Sequence, residues 1–177
     1  LHADQAEAWM LKHVELGTVG RALEGATLEQ IDRALDVLDR MQPHPGDSLL
    51  IYGAGVIGLT LVQMARALGL TDITVTDVID ERLQTARALG ASRTLNGKEV
   101  DVEATMRELT HGEGVPLIVD AACIPALMPQ MVRIASPAGR IGLLGFSTTP
   151  TDLVQLEMIK KELTLVGSRL NNRKFAR

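Results

Sequence analysis

The sequence predicts an α/β fold, a doubly wound sheet of six parallel strands in the order 3-2-1-4-5-6 with a pair of helices ahead of it. Three observations carry this expectation. Short β-like runs alternate with helical runs from residue 48 to 168, the pattern of a parallel sheet covered on both faces. Glycines follow the helical runs at Gly69 and Gly90, where a left-handed C-terminal residue is needed. The first strand-like run enters its helix through the spaced glycines Gly53, Gly55 and Gly58.

In chain order, residues 1–42 read as a helical segment. The run from Ala3 to Leu16 is helical in composition and stops at Gly17. Thr27 and Gln30 then form a T-x-x-Q capping box, in which each side chain satisfies the other's backbone N–H. Leu28, Ile31, Leu35 and Leu38 follow at 3-4-3 spacing and make one apolar face. Asp32, Arg33, Asp36, Asp39 and Arg40 are expected on its wet side. "PHPGD" (43–47) is a turn feeding the first strand. Strands are expected near 48–52, 72–76, 92–95, 115–120, 140–144 and 162–167, with helices near 56–68, 80–89, 101–110 and 125–135. Asp80 and Asp101 are placed as N-caps, and Pro125 suits a first helical turn. Pro129 argues that the last of these helices starts late or kinks. The order 3-2-1-4-5-6 then follows from right-handed crossovers.

The glycines give G-x-G-x-x-G between a strand and a helix, the Rossmann fingerprint for a dinucleotide. Gly53 permits the tight turn, Gly55 lets pyrophosphate approach the backbone, and Gly58 lets the helix pack closely on the strand. The N–H groups of Val56 and Ile57 would then face the phosphates, with the helix dipole adding a modest attraction. Asp77 ends the second strand, 19 residues after Gly58. There a carboxylate accepts from the adenosine ribose hydroxyls. A 2′-phosphate would meet it with a repulsion of order 4 kcal/mol at an effective dielectric near 20, so NAD is favoured over NADP. Arg82 could pair with Asp77 or lie over the ribose.

Composition narrows the function classes. The chain has 177 residues, 46% of them apolar but only 2% aromatic, so aliphatic side chains must fill the core. A net charge of −4 and a pI near 5.6 lack the basic stripe that a nucleic-acid surface requires. No apolar run approaches the roughly 18–20 residues of a membrane span, and no basic-then-apolar leader is visible. A cytoplasmic location is expected. Cys123 stands alone, which excludes an internal disulfide and a zinc site built on several thiolates.

"PGDSLLIYGAGVIGLTLVQMARALG", "ITVTDVIDERL", "ARALGA" and "GRIGLLGF…KKELTLVGS" resemble the cofactor domain of the medium-chain, zinc-type alcohol and polyol dehydrogenases. The likeness covers roughly residues 43–172. It implies that Gly53, Gly55, Val56, Ile57 and Gly58 hold the pyrophosphate of NAD and that Asp77 and Arg82 hold the adenosine ribose. It also implies that Ala121–Cys123, with Ala122 among them, and Leu144–Phe146, with Leu144 and Gly145, border the nicotinamide. The implied activity is hydride transfer between an alcohol carbon and NAD. The resemblance further implies a homo-oligomer, with Thr151–Leu156 contributing to subunit pairing.

The residues that would act on a substrate are not evident. A catalytic zinc takes about three ligands from Cys, His and acids, yet His2, His13, His44 and His111 have no partner His or Cys at ligand spacing. Polyol-type members usually carry E-P-L-A before the first strand, and here the helix reads "EQIDRALDVLDRM". Cys123 reads as a small lining residue and Asp120 as the end of a strand. No catalytic or metal-ligating residue is therefore expected. The leading expectation is an NAD(H)-binding domain, residues 43–177, lacking the zinc-bearing catalytic domain and inactive alone. The alternatives are a catalytic domain supplied elsewhere, a non-catalytic nucleotide-sensing or assembly module, and, last, a methyltransferase.

Overall fold

The computed structural model describes residues 27–169. The expected helix from Ala3 to Leu16, with His2 and His13, lies outside them. Helix α1 (Leu28–Met41) starts at the anticipated capping box. The Thr27 N–H donates to Gln30 Oε1 at 2.8 Å and the Gln30 N–H to Thr27 Oγ1 at 3.4 Å. Its apolar stripe of Ala34, Val37, Leu38 and Met41 is fully buried. Burying each of the larger ones contributes about 1.5–3 kcal/mol. Gly142 lets α1 approach the sheet, since a Cβ there would lie 2.5 Å from Val37 Cγ2 and 2.6 Å from Met41 Sδ.

One expectation for α1 is corrected. Asp36 is not on a wet face: it is 8% exposed and accepts from Ser168 Oγ at 2.6 Å and Arg40 Nε at 2.9 Å. Ser168 is 132 residues away in sequence, so a helical wheel of α1 cannot reveal it.

The sheet follows as β1 (Leu49–Tyr52), β2 (Ile73–Asp77), β3 (Arg93–Asn96), β4 (Val115–Asp120), β5 (Ala135–Leu143) and β6 (Thr164–Gly167). All neighbours pair in parallel, and the order is β3-β2-β1-β4-β5-β6, as expected. Between the strands run α2 (Val56–Ala67), α3 (Asp80–Ala88), α4 (Val102–Leu109), a 3-10 turn (Pro125–Leu127), α5 (Met128–Ile134) and α6 (Gln155–Lys160). Alternation along the strands divides the core. Leu49, Ile51, Leu117 and Val119 pack under α1, α2 and α3. Leu50, Tyr52 and Ile118 pack under α4 and α5 on the opposite face.

Several boundaries differ from the expectation for physical reasons. The 3-10 turn absorbs Pro125, and α5 begins at Met128 with Pro129 in its first turn, where no N–H is needed. Strand β5 starts at Ala135 rather than 140, with a register break between its pairings at Ala135 and Arg140. Asp101 caps α4 through the Ala104 N–H. Asp80, however, is not an N-cap: Ile79 holds that position without a side-chain bond, and Asp80 instead accepts from Asn96 Nδ2 at 2.7 Å. The segment between β5 and β6 contains the short helix α6, which carries no strong sequence signal.

Candidate functional site

The strand ends Tyr52, Asp77 and Asp120 lie on adjacent strands, because Tyr52 is paired with Thr76 on one side and Asp120 on the other. The chain leaves the C-terminal edge there in opposite directions, and a cleft of about 700 Å³ opens beside it. That volume suits a small-molecule ligand, and the position is the switch point where open α/β sheets bind them.

Each fingerprint glycine has a separate reason. Gly53 has φ +97°, and a Cβ there would sit 3.1 Å from the Ala121 and Ala122 backbone. Gly58 allows no side chain, since its Cβ would lie 1.9 Å from the Gly53 carbonyl oxygen. Gly55 is the N-cap of α2 and has open space where a Cβ would stand. No side chain caps this helix, so its first N–H groups are free for an anion.

Asp77 ties the next strand to this loop. Its Oδ2 accepts from the Ala54 N–H at 2.7 Å, and Oδ1 accepts from Val78 at 2.7 Å and Ile79 at 3.1 Å. A carboxylate offers about four lone-pair sites, so three N–H bonds leave capacity for a ligand hydroxyl. Arg82 Nη1 stands 3.8 Å from Oδ2 on a side chain about half exposed, beside the carboxylate without covering it.

The cleft therefore brings together Gly53, Gly55, Asp77, Arg82 and Ala122. Val56 is 55% exposed at the start of α2, whereas Ile57 packs against the core and Gly58 is buried behind the turn. Leu144 does not reach the wall. Its side chain is buried in the core, and its N–H donates to the Asp120 carbonyl at 3.1 Å. Gly145 lies against Cys123, with an added Cβ 2.7 Å from Sγ. Cys123 is exposed and holds a left-handed φ of 60°. Asp120 shapes that turn, its Oδ1 accepting from the N–H groups of Ala122 and Cys123 at 3.1 and 3.0 Å. Burial pushes its carboxyl above the ordinary range, opposed by those two bonds.

Sequence reasoning missed the inner wall of the cleft. Tyr52 is 1% exposed and its hydroxyl donates to Gln130 Oε1 at 2.9 Å. Burial pushes its phenol up, with the Glu103 carboxylate adding to the effect. The signal for Gln130 was the three-residue spacing of Leu127, Gln130 and Arg133, all on the cleft side. His44 and His111 lie away from it. Among the described residues no three His, Cys, Asp or Glu side chains are grouped to hold a metal ion, and no helix is long and apolar enough to cross a membrane.

Residues 56–177 match the family model of the zinc-binding dehydrogenases. The chain belongs to that family. It is an alcohol dehydrogenase-type domain of the medium-chain group. The starvation-sensing protein RspB of Escherichia coli K12 is 40% identical over 84% of this chain and 43% of its own length. Galactitol 1-phosphate 5-dehydrogenase of the same strain is 32% identical over 84% of this chain and 44% of its own. The crystal structure of the rspB alcohol dehydrogenase of E. coli CFT073, complexed with the cofactor NADH, superposes with a TM-score of 0.77. It is 39% identical, over 82% of this chain and 43% of that one. The family domain thus spans less than half the length of the relatives it matches.

Proposed function

We propose that the chain is the NAD(H)-holding part of an alcohol- or polyol-oxidising dehydrogenase. The observation that carries this reading is the junction of the glycine turn with Asp77. An uncapped helix start stands open at Gly55, and a carboxylate with spare acceptor capacity is bonded to the same loop. Pyrophosphate would lie on the N–H groups of Val56 and Ile57, with Gly53 and Gly58 keeping the turn close to β4. The ribose hydroxyls would donate to Asp77 beside Arg82, and its charge would reject a 2′-phosphate. Val78 and Ile124, 46% and 49% exposed at the cleft, would cover the faces of the adenine. Ala122, Leu144 and Gly145 belong to the two turns that would border the nicotinamide, Leu144 through its backbone. The bound cofactor would supply the hydride acceptor. The described residues do not form a zinc site, so a metal-dependent step would draw its ligands from outside residues 27–169.

On this reading residues 43–177 are the nucleotide-binding unit, α1 covers one face of its sheet, and the chain alone does not turn over alcohol. Titration with NADH, followed by nicotinamide fluorescence, tests the binding half. A saturable enhancement is expected, and none up to millimolar cofactor would dispose of it. Alcohol-dependent reduction of NAD by the purified chain would contradict the claim of inactivity.

A second reading, a nucleotide-sensing or assembly module, draws on a different observation. Strand β6 is an edge of the sheet, and Val154, Leu156 and Ile159 in the segment that leads into it are 54–65% exposed. Such an edge can pair with a second copy, as the notion of a homo-oligomer through Thr151–Leu156 requires. Light scattering should give twice the monomer mass, reduced to the monomer by Ile159→Asp. A monomer with and without NADH would exclude pairing.

A further inference from the structure

The cleft extends past the ribose position into a slot between α4 and α5, and its two ends differ in chemistry. The mouth is apolar, flanked by Val78 and Ile124. The floor is polar, made by the Tyr52 hydroxyl and the Gln130 carboxamide, 2.9 Å apart. Beyond Gln130 the Arg133–Glu103 ion pair, with Nε to Oε2 at 2.9 Å, stands at the far side and is satisfied, the second Glu103 oxygen accepting from Arg107 Nη2 at 3.1 Å. Gln130 is not. Its Oε1 accepts one bond from Tyr52, and among the described residues nothing accepts from its Nε2. One lone pair and the amide hydrogens are left for a ligand.

We propose that Gln130 reads the edge of the purine base, accepting from an exocyclic amine through Oε1 and donating through Nε2 to a neighbouring ring nitrogen. Tyr52 is the positioning residue. With its hydroxyl placed as the donor to Oε1, it holds the carboxamide so that Nε2 stays free to face the ring nitrogen. This rests on the nucleotide reading above and narrows it to 6-aminopurine dinucleotides over 6-oxopurine ones. A carboxamide offers the acceptor and the donor that the N6 amine and N1 of adenine need, the same complement by which Asn and Gln read its N6/N7 edge. Hypoxanthine presents an oxygen where adenine has its amine, and an N–H at N1. Against the same carboxamide, oxygen then faces oxygen and N–H faces N–H.

The test compares NADH with reduced nicotinamide hypoxanthine dinucleotide, by fluorescence titration of the full 177-residue chain. The wild type should bind NADH about tenfold more tightly or better, the discrimination expected of a paired carboxamide. Gln130→Glu should reverse the preference, because a carboxylate accepts from N1–H but cannot donate to an adenine ring nitrogen. Gln130→Leu should bring the ratio near one, and Tyr52→Phe should lower it several-fold. The proposal is overturned if Gln130→Glu and Gln130→Leu, folded by circular dichroism, bind NADH and keep the wild-type ratio. A wild type that favours neither dinucleotide overturns it too, while leaving NAD(H) binding intact. Absence of any NADH binding by the wild type removes the nucleotide reading and this one with it.

Discussion

Substituting Gly55 and Gly58 separately by alanine should divide binding from folding. At Gly58 the new methyl would stand 1.9 Å from the Gly53 carbonyl oxygen, 3.0 Å from its carbon and 3.6 Å from Ile51 Cγ2. Ordinary contact begins near 3.4 Å, so α2 and the turn must separate by about 1.5 Å (3.4 less 1.9). The obstacle is backbone, and the Gly53 N–H is itself held by the Thr76 carbonyl at 2.7 Å. Overpacking of this kind costs about 1–3 kcal/mol or more. In a chain of this size each kcal/mol moves the melting temperature by about 2–4 °C, so Gly58→Ala should melt about 2–12 °C lower. At Gly55 the backbone is extended, with φ −73° and ψ −176°, and nothing lies within 4 Å of a Cβ. Stability should fall by no more than about 0.5–1 kcal/mol, from the poorer N-cap that alanine makes. The methyl would nevertheless occupy the space over the free N–H groups of Val56 and Ile57. Losing hydrogen bonds to a charged phosphate costs about 1.5–3 kcal/mol each, so NADH affinity should fall at least about tenfold. Thermal melts and NADH fluorescence titrations read the two effects independently. The reasoning fails if Gly55→Ala melts as low as Gly58→Ala, or if it binds NADH like the wild type.

Three further outcomes follow from single side chains. Asp77→Ala leaves the N–H groups of Ala54, Val78 and Ile79 without their acceptor, which should cost about 1–3 kcal/mol in urea melts. It should also erase the preference for NADH over NADPH in competition titrations; an unchanged preference would show that Asp77 only holds the loop. Asp120 has a folded-state carboxyl raised above its ordinary value. Its contribution is therefore fully present below the ordinary carboxyl value and is lost as pH rises through the raised one. Asp120→Asn keeps an oxygen for the Ala122 and Cys123 N–H groups and removes the buried charge. Stability measured from mildly acidic to neutral pH should then fall less steeply than in the wild type, and an identical slope would contradict the assignment. Asp36→Ala should cost about 1–3 kcal/mol by urea titration, since it strands the buried Ser168 hydroxyl; a solvent-facing aspartate would cost under about 0.5 kcal/mol.

What the sequence revealed depended on how local the cause was. The glycine turn was legible because its constraints act within a few residues: Gly58 meets the carbonyl of Gly53, five positions earlier. The capping box at Thr27 and Gln30 and the N-cap at Asp101 are local in the same way. The strands were legible because burial on both faces demands continuous apolar runs such as "LLIY" and "VPLIVD". Misreadings arose wherever a distant element supplied the partner. Asp36 looks solvated until β6 delivers Ser168 onto it. Asp80 looks like a cap until β3 delivers Asn96, while Asp77 satisfies the nearby N–H groups instead.

The site divides along the same line. The positions proposed for pyrophosphate and ribose could be named because the chain passes through them in one stretch, Gly53 to Arg82. The inner wall could not, because Tyr52 and Gln130 meet across 78 positions. Leu144 shows the converse, since lying at a strand end near the cleft does not decide which way a side chain faces. The chain leaving β5 turns Leu144 into the core, so any contribution it makes to the cofactor must come from its backbone. Binding determinants that lie along one crossover can thus be read from spacing, whereas base recognition here depends on two elements that only the folded sheet brings together.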